Sequence, residues 1–236
     1  MKKKIKIAHL YYDLMNLYGE SANVRAMKTF IERYDVPVEV SFLTLDDDID
    51  FMAYDFYYLG SGSEANQVIV LEDLKKYASD IKKAIDSGKM FLVTGNAMEI
   101  FGKKIRYRDS SSMTCLGILD YQAYEQMTRM VSEIIYKYEE LPEDAGRYIL
   151  GFKNCSNNIV HNKDRMFGFA NNVCKNNFYA MNFIGPFLIR NPYFTNKLIG
   201  ILFKDKGIDF KPITDTIEFK AYHEFLKNFV TNNDLG

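Results

Sequence analysis

Residues 90–102 read MFLVTGNAMEIFG. An apolar run over 90–93 stops at a tight Thr94-Gly95-Asn96 turn, and a helix-like segment follows over 97–101. Strand, sharp turn and helix in this order is the shape with which many α/β enzymes hold a nucleophile out at the end of a strand. Here the apex is Gly95, which has no side chain.

Upstream, the chain alternates strand-like and helix-like segments. Residues 4–10 (KIKIAHL) read as a strand by alternation and β-branching. Residues 21–34 read as a helix, with Ser21 as N-cap and Val24, Met27, Phe30 and Ile31 as its apolar stripe. Residues 38–43 and 56–59 read as further strands, the second ending at Gly60-Ser61-Gly62. Residues 66–87 read as one helix stopped by Gly88, and residues 89–94 as the strand that leads to the turn. Such alternation predicts an α/β fold, a mostly parallel sheet flanked by helices in a flavodoxin-like three-layer arrangement. Ligands of these sheets bind at the C-terminal ends of the strands. Gly60-Ser61-Gly62 and Gly95 both fall there.

After residue 103 the character changes. Segments 131–138, 147–152, 165–170 and 178–183 are short and rich in β-branched and aromatic residues, and predict in the C-terminal half an antiparallel extension of the sheet or antiparallel strands lying against it. Residues 218–230 predict an amphipathic helix. No repeat, low-complexity tract or clean linker divides the chain, so residues 1–236 are expected to form a single domain.

Composition excludes several classes. Apolar residues make up 47% and charged residues 26%, with a formal net charge of -1, so no excess of either sign points to nucleic acid or a membrane surface. Lys2-Lys3-Lys4 reads as a solvated strand end, and Asp46-Asp47-Asp48 as a solvated loop. No window approaches the ~18 apolar residues of a membrane span. Three dispersed cysteines (Cys115, Cys155, Cys174) and the lack of a signal-peptide pattern predict reduced thiols and a cytoplasmic location. The isolated His9, His161 and His223 offer no metal-ligand spacing, and neither metal nor cofactor is expected.

Five collinear segments carry a family resemblance. LYYDLMNLYGESANVRAM (10–27) has the spacing Tyr-x-Asp-Leu-x-Asn-Leu-Tyr-Gly followed by Asn23 and Arg25, and DFYYLGSGSEANQ (55–67) is a strand ending in a glycine-rich turn. GFKN (151–154), FGFANN (167–172) and IGPFLIRNP (184–192) resemble the family segments Gly-Phe-Glu-Asn, Gly-x-Gly-Asn-Asn and His-Gly-Pro-Leu-Leu-x-x-Asn-Pro. Across residues 5–200 the chain resembles class I glutamine amidotransferase domains of the CobB/CobQ (cobyric acid synthase) type. Within that family it looks most like the GatD-like branch, the amidotransferase subunits of lipid II isoglutaminyl synthase.

The resemblance implies glutamine hydrolysis through a thioester. A thiolate attacks the side-chain amide, a histidine moves the proton, and main-chain N–H groups hold the oxyanion. The family writes the elbow Cys-Gly-Gly-Tyr-Gln-x-Leu-Gly; this chain, aligned on the final glycine, reads Gly95-Asn96-Ala97-Met98-Glu99-Ile100-Phe101-Gly102. Gly95 takes the nucleophile position, and Ile184 takes the histidine of the His-Gly-Pro segment. Both catalytic side chains are replaced. Among the substitutes, Thr94 lies on the opposite face of its strand, and Cys115 precedes Leu116-Gly117-Ile118-Leu119, which resembles a structural Leu-Gly-Leu-Leu strand of the family. Cys155, Cys174 and His161 read as incidental.

The pattern therefore predicts a catalytically degenerate amidotransferase-like subunit whose partner is a Mur-ligase-like (MurT-type) protein, with glutamine or a related amino acid as possible ligand. Gly60, Ser61, Gly62, Asn96 and Glu99 are the candidate ligand-binding residues: small residues with exposed N–H groups, and polar groups able to meet an amine. Two other readings stay open. One is an active amidotransferase with a nonstandard nucleophile; the other is a small-molecule sensor using the old glutamine pocket.

Overall fold

A computed structural model describes residues 3–141, 148–161 and 173–232. Its first half follows the alternation of the sequence. Strand β1 (Ile5–Leu10) leads to helix α1 (Ser21–Glu32), then β2 (Val38–Leu43) and β3 (Phe56–Leu59). Helices α2 (Glu64–Leu74) and α3 (Ala78–Asp86) precede β4 (Met90–Thr94), which runs into the short helix α4 (Ala97–Ile100).

Two helix ends differ from expectation. Ser21 does not cap α1; its N–H donates to Asn16 Oδ1 at 2.8 Å, so the preceding loop supplies the cap. The helix expected over 66–87 starts earlier, because Ser63 Oγ accepts from Asn66 N–H at 3.1 Å, and a 3-10 turn at Lys75–Tyr77 breaks it in two. Gly88 stops α3 at φ +86°, a conformation glycine adopts without cost.

The second half contains β5 (Lys104–Arg106), β6 (Ser112–Thr114), β7 (Tyr121–Lys137), β8 (Tyr148–His161), β9 (Val173–Lys175) and β10 (Phe178–Met181), then α5 (Phe187–Arg190), α6 (Pro192–Lys206) and α7 (Ile217–Asn232). The principal sheet has the order β2-β1-β3-β4-β10-β9. β10 pairs with β4 in parallel, and only β9 is antiparallel. The strand expected over 178–183 is therefore part of the parallel core, not of an antiparallel extension. The antiparallel material is a second sheet, β6-β5-β7-β8, dominated by the long β7–β8 hairpin. Residues 116–119 form no strand; Cys115 is buried beside them, and burial pushes its thiol up to about 12. The strand expected over 165–170, the segment 167–172 and residue 147 lie outside the described residues.

Strands buried on both faces need apolar residues at nearly every position, and β3 (FYYL) and β4 (MFLVT) are buried throughout. One face packs on α2 and α3 through Leu10, Tyr57, Leu59, Phe91 and Val93. The other packs on α1, α6 and α7 through Ile7, Phe56, Tyr58, Leu92 and Met181. The outcome is the expected three-layer arrangement. No helix among the described residues is long and apolar enough to cross a membrane.

Candidate functional site

The C-terminal ends of β3, β4 and β10 converge on the Gly95 turn. Gly95 has φ +62°, the left-handed region in which a side chain is strained, and its N–H donates to the carbonyls of both Met181 (2.9 Å) and Phe183 (2.8 Å). The elbow shape is thus kept and is pinned to the end of β10. A Cβ on Gly95 would lie 2.5 Å from both Cβ and Oγ of Ser61 and 3.1 Å from Cγ2 of Ile184. The fold brings Gly95 and Ile184 together, and Ser61 fills the space in which a side chain on Gly95 would begin.

The glycine-rich turn after β3 is engaged internally. Asn96 Oδ1 accepts from Gly62 N–H and Ser61 Oγ, each at 3.0 Å, and Asn96 Nδ2 donates to Gly62 O at 2.9 Å. The carboxamide of Asn96 therefore pairs with both the N–H and the carbonyl of Gly62. Glu20 is fully buried below the turn. Its carboxylate accepts from Tyr18 N–H at 2.8 Å and lies beside the N–H groups of Ser61 and Gly185, while burial raises its proton affinity. A Cβ on Gly60 would strike Met15 O at 2.5 Å and Glu20 Cβ at 2.8 Å, so only glycine allows this approach.

A polar cavity of about 130 Å³ opens beside the turn. Ser61, Gly62, Asn96 and Glu99 line it; Gly60 instead faces Met15 and Glu20, and Gly95 and Ile184 pack behind Ser61. Glu99 is buried on α4, and its Oε2 accepts from Gln67 Nε2 at 3.0 Å and Asn157 Nδ2 at 2.8 Å. Burial raises its carboxyl to about 7, and the two amide donors hold it from going higher. Asn157 reaches it from β8, so the hairpin forms the far wall. On the same wall Arg129 donates to Asn154 Oδ1 and to Ser156 Oγ (3.0 Å), and its guanidinium stands 3.8 Å from Glu64.

Sequence reasoning missed Gln67, Arg129, Asn154, Asn157 and Glu20: Arg129, Asn154 and Asn157 reach the turn from a separate hairpin, while Gln67 and Glu20 lie within quoted motifs whose side-chain directions the sequence does not give. Only one signal pointed at this wall: GFKN, where Lys153 replaces the glutamate of the resembling segment. Among the described residues, neither the Ser61 hydroxyl nor the Cys155 thiol is paired with a base. Ser61 Oγ donates to a carboxamide oxygen, and burial raises the Cys155 thiol. No group of three or more His, Cys, Asp or Glu side chains has metal-ligand geometry among the described residues.

The N-terminal motif is structural glue for this site. Asn23 Nδ2 donates to Tyr58 OH (2.8 Å) and Gly185 O (3.0 Å), and its Oδ1 accepts from Leu188 N–H at 2.8 Å. Thr94 exchanges a hydrogen bond with the same Tyr58 hydroxyl at 2.8 Å, which places it on the face away from the cavity. Asp13 accepts from Thr44 Oγ1 at 2.7 Å.

Two curated relatives are lipid II isoglutaminyl synthase (glutamine-hydrolyzing) subunits GatD. The one from Staphylococcus aureus (strain N315) is 26% identical over 220 residues, covering 89% of this chain and 88% of the relative. The one from Streptococcus pneumoniae (strain ATCC BAA-255 / R6) is 26% identical over 238 residues, covering 94% and 87%. Among solved structures, PurLQS from Thermotoga maritima superposes with a TM-score of 0.51 at 15% identity, covering 75% of this chain and 85% of that one. A crystal structure of a glutamine amidotransferase superposes at 0.50 with 13% identity, covering 83% and 98%. These two likenesses show the fold. A family model, the CobB/CobQ-like glutamine amidotransferase domain, matches residues 6–182. With its elbow at Gly95 and its collinear motifs, the chain belongs to the CobB/CobQ-like glutamine amidotransferase family.

Proposed function

We propose that this chain is a glutamine amidotransferase-like subunit that does not hydrolyse glutamine and acts within a complex that amidates a peptidoglycan precursor. One observation carries the reading. The apex of the elbow has no side chain, Ser61 fills the space where one would begin, and the neighbouring Ile184 cannot accept a proton. A thioester mechanism needs a thiolate and a proton carrier within hydrogen-bond reach, and loss of the base alone typically costs ~10² to 10⁴-fold. Asn96 adds to the case by occupying the Gly62 N–H that would otherwise stabilise an oxyanion.

The relatives that share most of the chain are named as subunits of lipid II isoglutaminyl synthase. By that likeness the partner is a Mur-ligase-like subunit that activates a carboxylate, and this chain contributes a docking surface and an altered pocket. The cytoplasm, where such precursors are made, is the matching location.

The test is release of ammonia and glutamate from L-glutamine by the purified chain, alone and co-expressed with the Mur-ligase-like subunit of its own genome. No release in either state, beside an active GatD control, is the expected result. Stoichiometric turnover in either state overturns the reading. A gain-of-function variant must change three residues, Ser61→Gly with Gly95→Cys and Ile184→His, because Ser61 blocks a new side chain at the apex.

A further inference from the structure

Lys153 stands on β8, in the GFKN segment, and is only 3% exposed. Its ammonium donates to the Tyr136 hydroxyl at 3.2 Å and lies 5.6 Å and 5.9 Å from the ring centroids of Tyr136 and Phe183. Among the described residues no carboxylate pairs with it. A buried cation without a counter-ion is costly, and native structures pair such charges or use them.

This lysine lines a cavity of about 300 Å³ with Gln126, Thr128, Asn157, Asn158 and Asn182. Cys155 and Asn157 line both this cavity and the one beside the elbow. Period-2 alternation explains the shared wall: residues 153, 155 and 157 lie on one face of β8. The two cavities meet at this shared wall as two lobes, with the Glu99 carboxyl lining one and the Lys153 ammonium lining the other.

We propose that the Lys153 lobe is a carboxylate-binding site, with the ammonium as counter-ion and the surrounding carboxamides and the Thr128 hydroxyl as orienting groups. The ligand is a small carboxylic acid, such as an amino acid, whose remaining length extends toward the Glu99 lobe. A carboxylate matches better than a phosphate. One ammonium balances one negative charge, whereas a phosphate ester brings −1.5 to −2 and recruits guanidinium forks or N-terminal amides, which the described residues of this lobe do not supply. The inference rests on the altered pocket of the proposed function, but not on the absence of hydrolysis.

The test is thermal shift and calorimetric titration of the full chain with L-glutamine, L-glutamate and succinate, against inorganic phosphate at matched ionic strength. At least one carboxylate is expected to raise the melting temperature and to bind; phosphate is not. Lys153→Met should weaken that binding by at least tenfold, and Lys153→Arg should restore part of it. If Lys153 only supports the hairpin, Lys153→Met shifts the melting temperature of the free protein and leaves ligand affinity unchanged, which overturns the proposal. So does a native protein that binds none of the three at roughly 10 mM, beyond the millimolar end of useful affinity. Tighter binding of phosphate than of any carboxylate overturns it as well. Ammonia release is recorded in the same samples. Release together with Lys153-dependent binding refutes the inactive reading above and leaves the carboxylate site standing.

Discussion

At residue scale, the elbow is a contest for one small space. Gly95→Ala puts a Cβ 2.5 Å from Ser61 and forces an L-residue into φ +62°. The left-handed conformation costs roughly 1–2 kcal/mol, and overpacking adds about 1–3 kcal/mol. Ser61→Gly removes the obstruction and leaves the backbone cost. Urea unfolding of both single variants and the double variant should give a coupling on the order of 1 kcal/mol or more, whereas an additive cycle would show that the two residues do not meet. Two buried titrating groups nearby pull in opposite directions. Glu99 is raised to about 7, so the folded protein keeps a proton that the unfolded chain loses near its ordinary value; stability from this group falls as pH rises through about 7. His9 is buried among Tyr12, Phe42 and Tyr58, neither ring nitrogen has a hydrogen-bond partner, and burial lowers it to about 4. Its contribution is present above the unfolded value and is lost as pH falls through about 4. Between about pH 4.5 and 6.5 the two slopes offset. Glu99→Gln removes one of them, so stability measured by urea at fixed pH should rise more steeply over that window and cease to fall toward pH 8, a change of roughly 3 kcal/mol. An unchanged pH profile would mean that Glu99 is ionised in the folded protein.

At the scale of elements, two buried asparagines tie the C-terminal half to the parallel sheet. Asn191 Oδ1 accepts from Leu150 N–H at 2.7 Å, and its Nδ2 donates to the carbonyls of Leu150 and Phe187, each at 2.8 Å. Asn191→Ala leaves these main-chain groups unpaired in the core, at about 1–3 kcal/mol per orphaned group. The expected loss is roughly 2–4 kcal/mol in chemical denaturation, and Asn23→Ala should behave alike because it orphans Leu188 N–H and Gly185 O. Neutral variants would show that water replaces the amides. Such ties explain which elements were legible. β2 and β3 match the expected bounds because alternation and flanking turns are local signals. β10 was legible as a strand but not in its direction, since pairing beside β4 depends on the crossover that delivers it and not on its own residues. The sequence reading carries no expectation for α6, although Phe194, Leu198, Ile199, Leu202 and Phe203 repeat with helical spacing. The break between α2 and α3 leaves no mark in composition.

For the molecule as a whole, the site divides along the same line between local and distant information. Gly60, Ser61, Gly62, Gly95 and Ile184 were legible because each sits in a motif at the end of a strand. Lys153, Asn157 and Arg129 were not, because the β7–β8 hairpin, a separate segment of the chain, carries them to the turn. That hairpin also sets the distribution of stability. β4 is buried at every position between β3 and β10, whereas residues 125–133 of β7 are exposed and the β7–β8 ladder is interrupted between Glu125 and Met130. Exposed backbone with few apolar neighbours opens by local fluctuation, and a doubly covered strand opens only when the domain unfolds. Hydrogen exchange followed by mass spectrometry should therefore find 90–94 protected to the global limit and 125–133 exchanging orders of magnitude faster. The same experiment links stability to the Lys153 lobe. A carboxylate held by Lys153 would tie β8, and through its ladder β7, to the rigid turn at Gly62 and Asn96. Protection in 125–133 should then rise with bound ligand in the native chain and stay flat in Lys153→Met. Strong protection of 125–133 in the free chain would mean instead that a second copy covers the exposed Met127, Met130 and Val131 in solution, and that the hairpin is an interface between copies rather than the movable wall of a pocket.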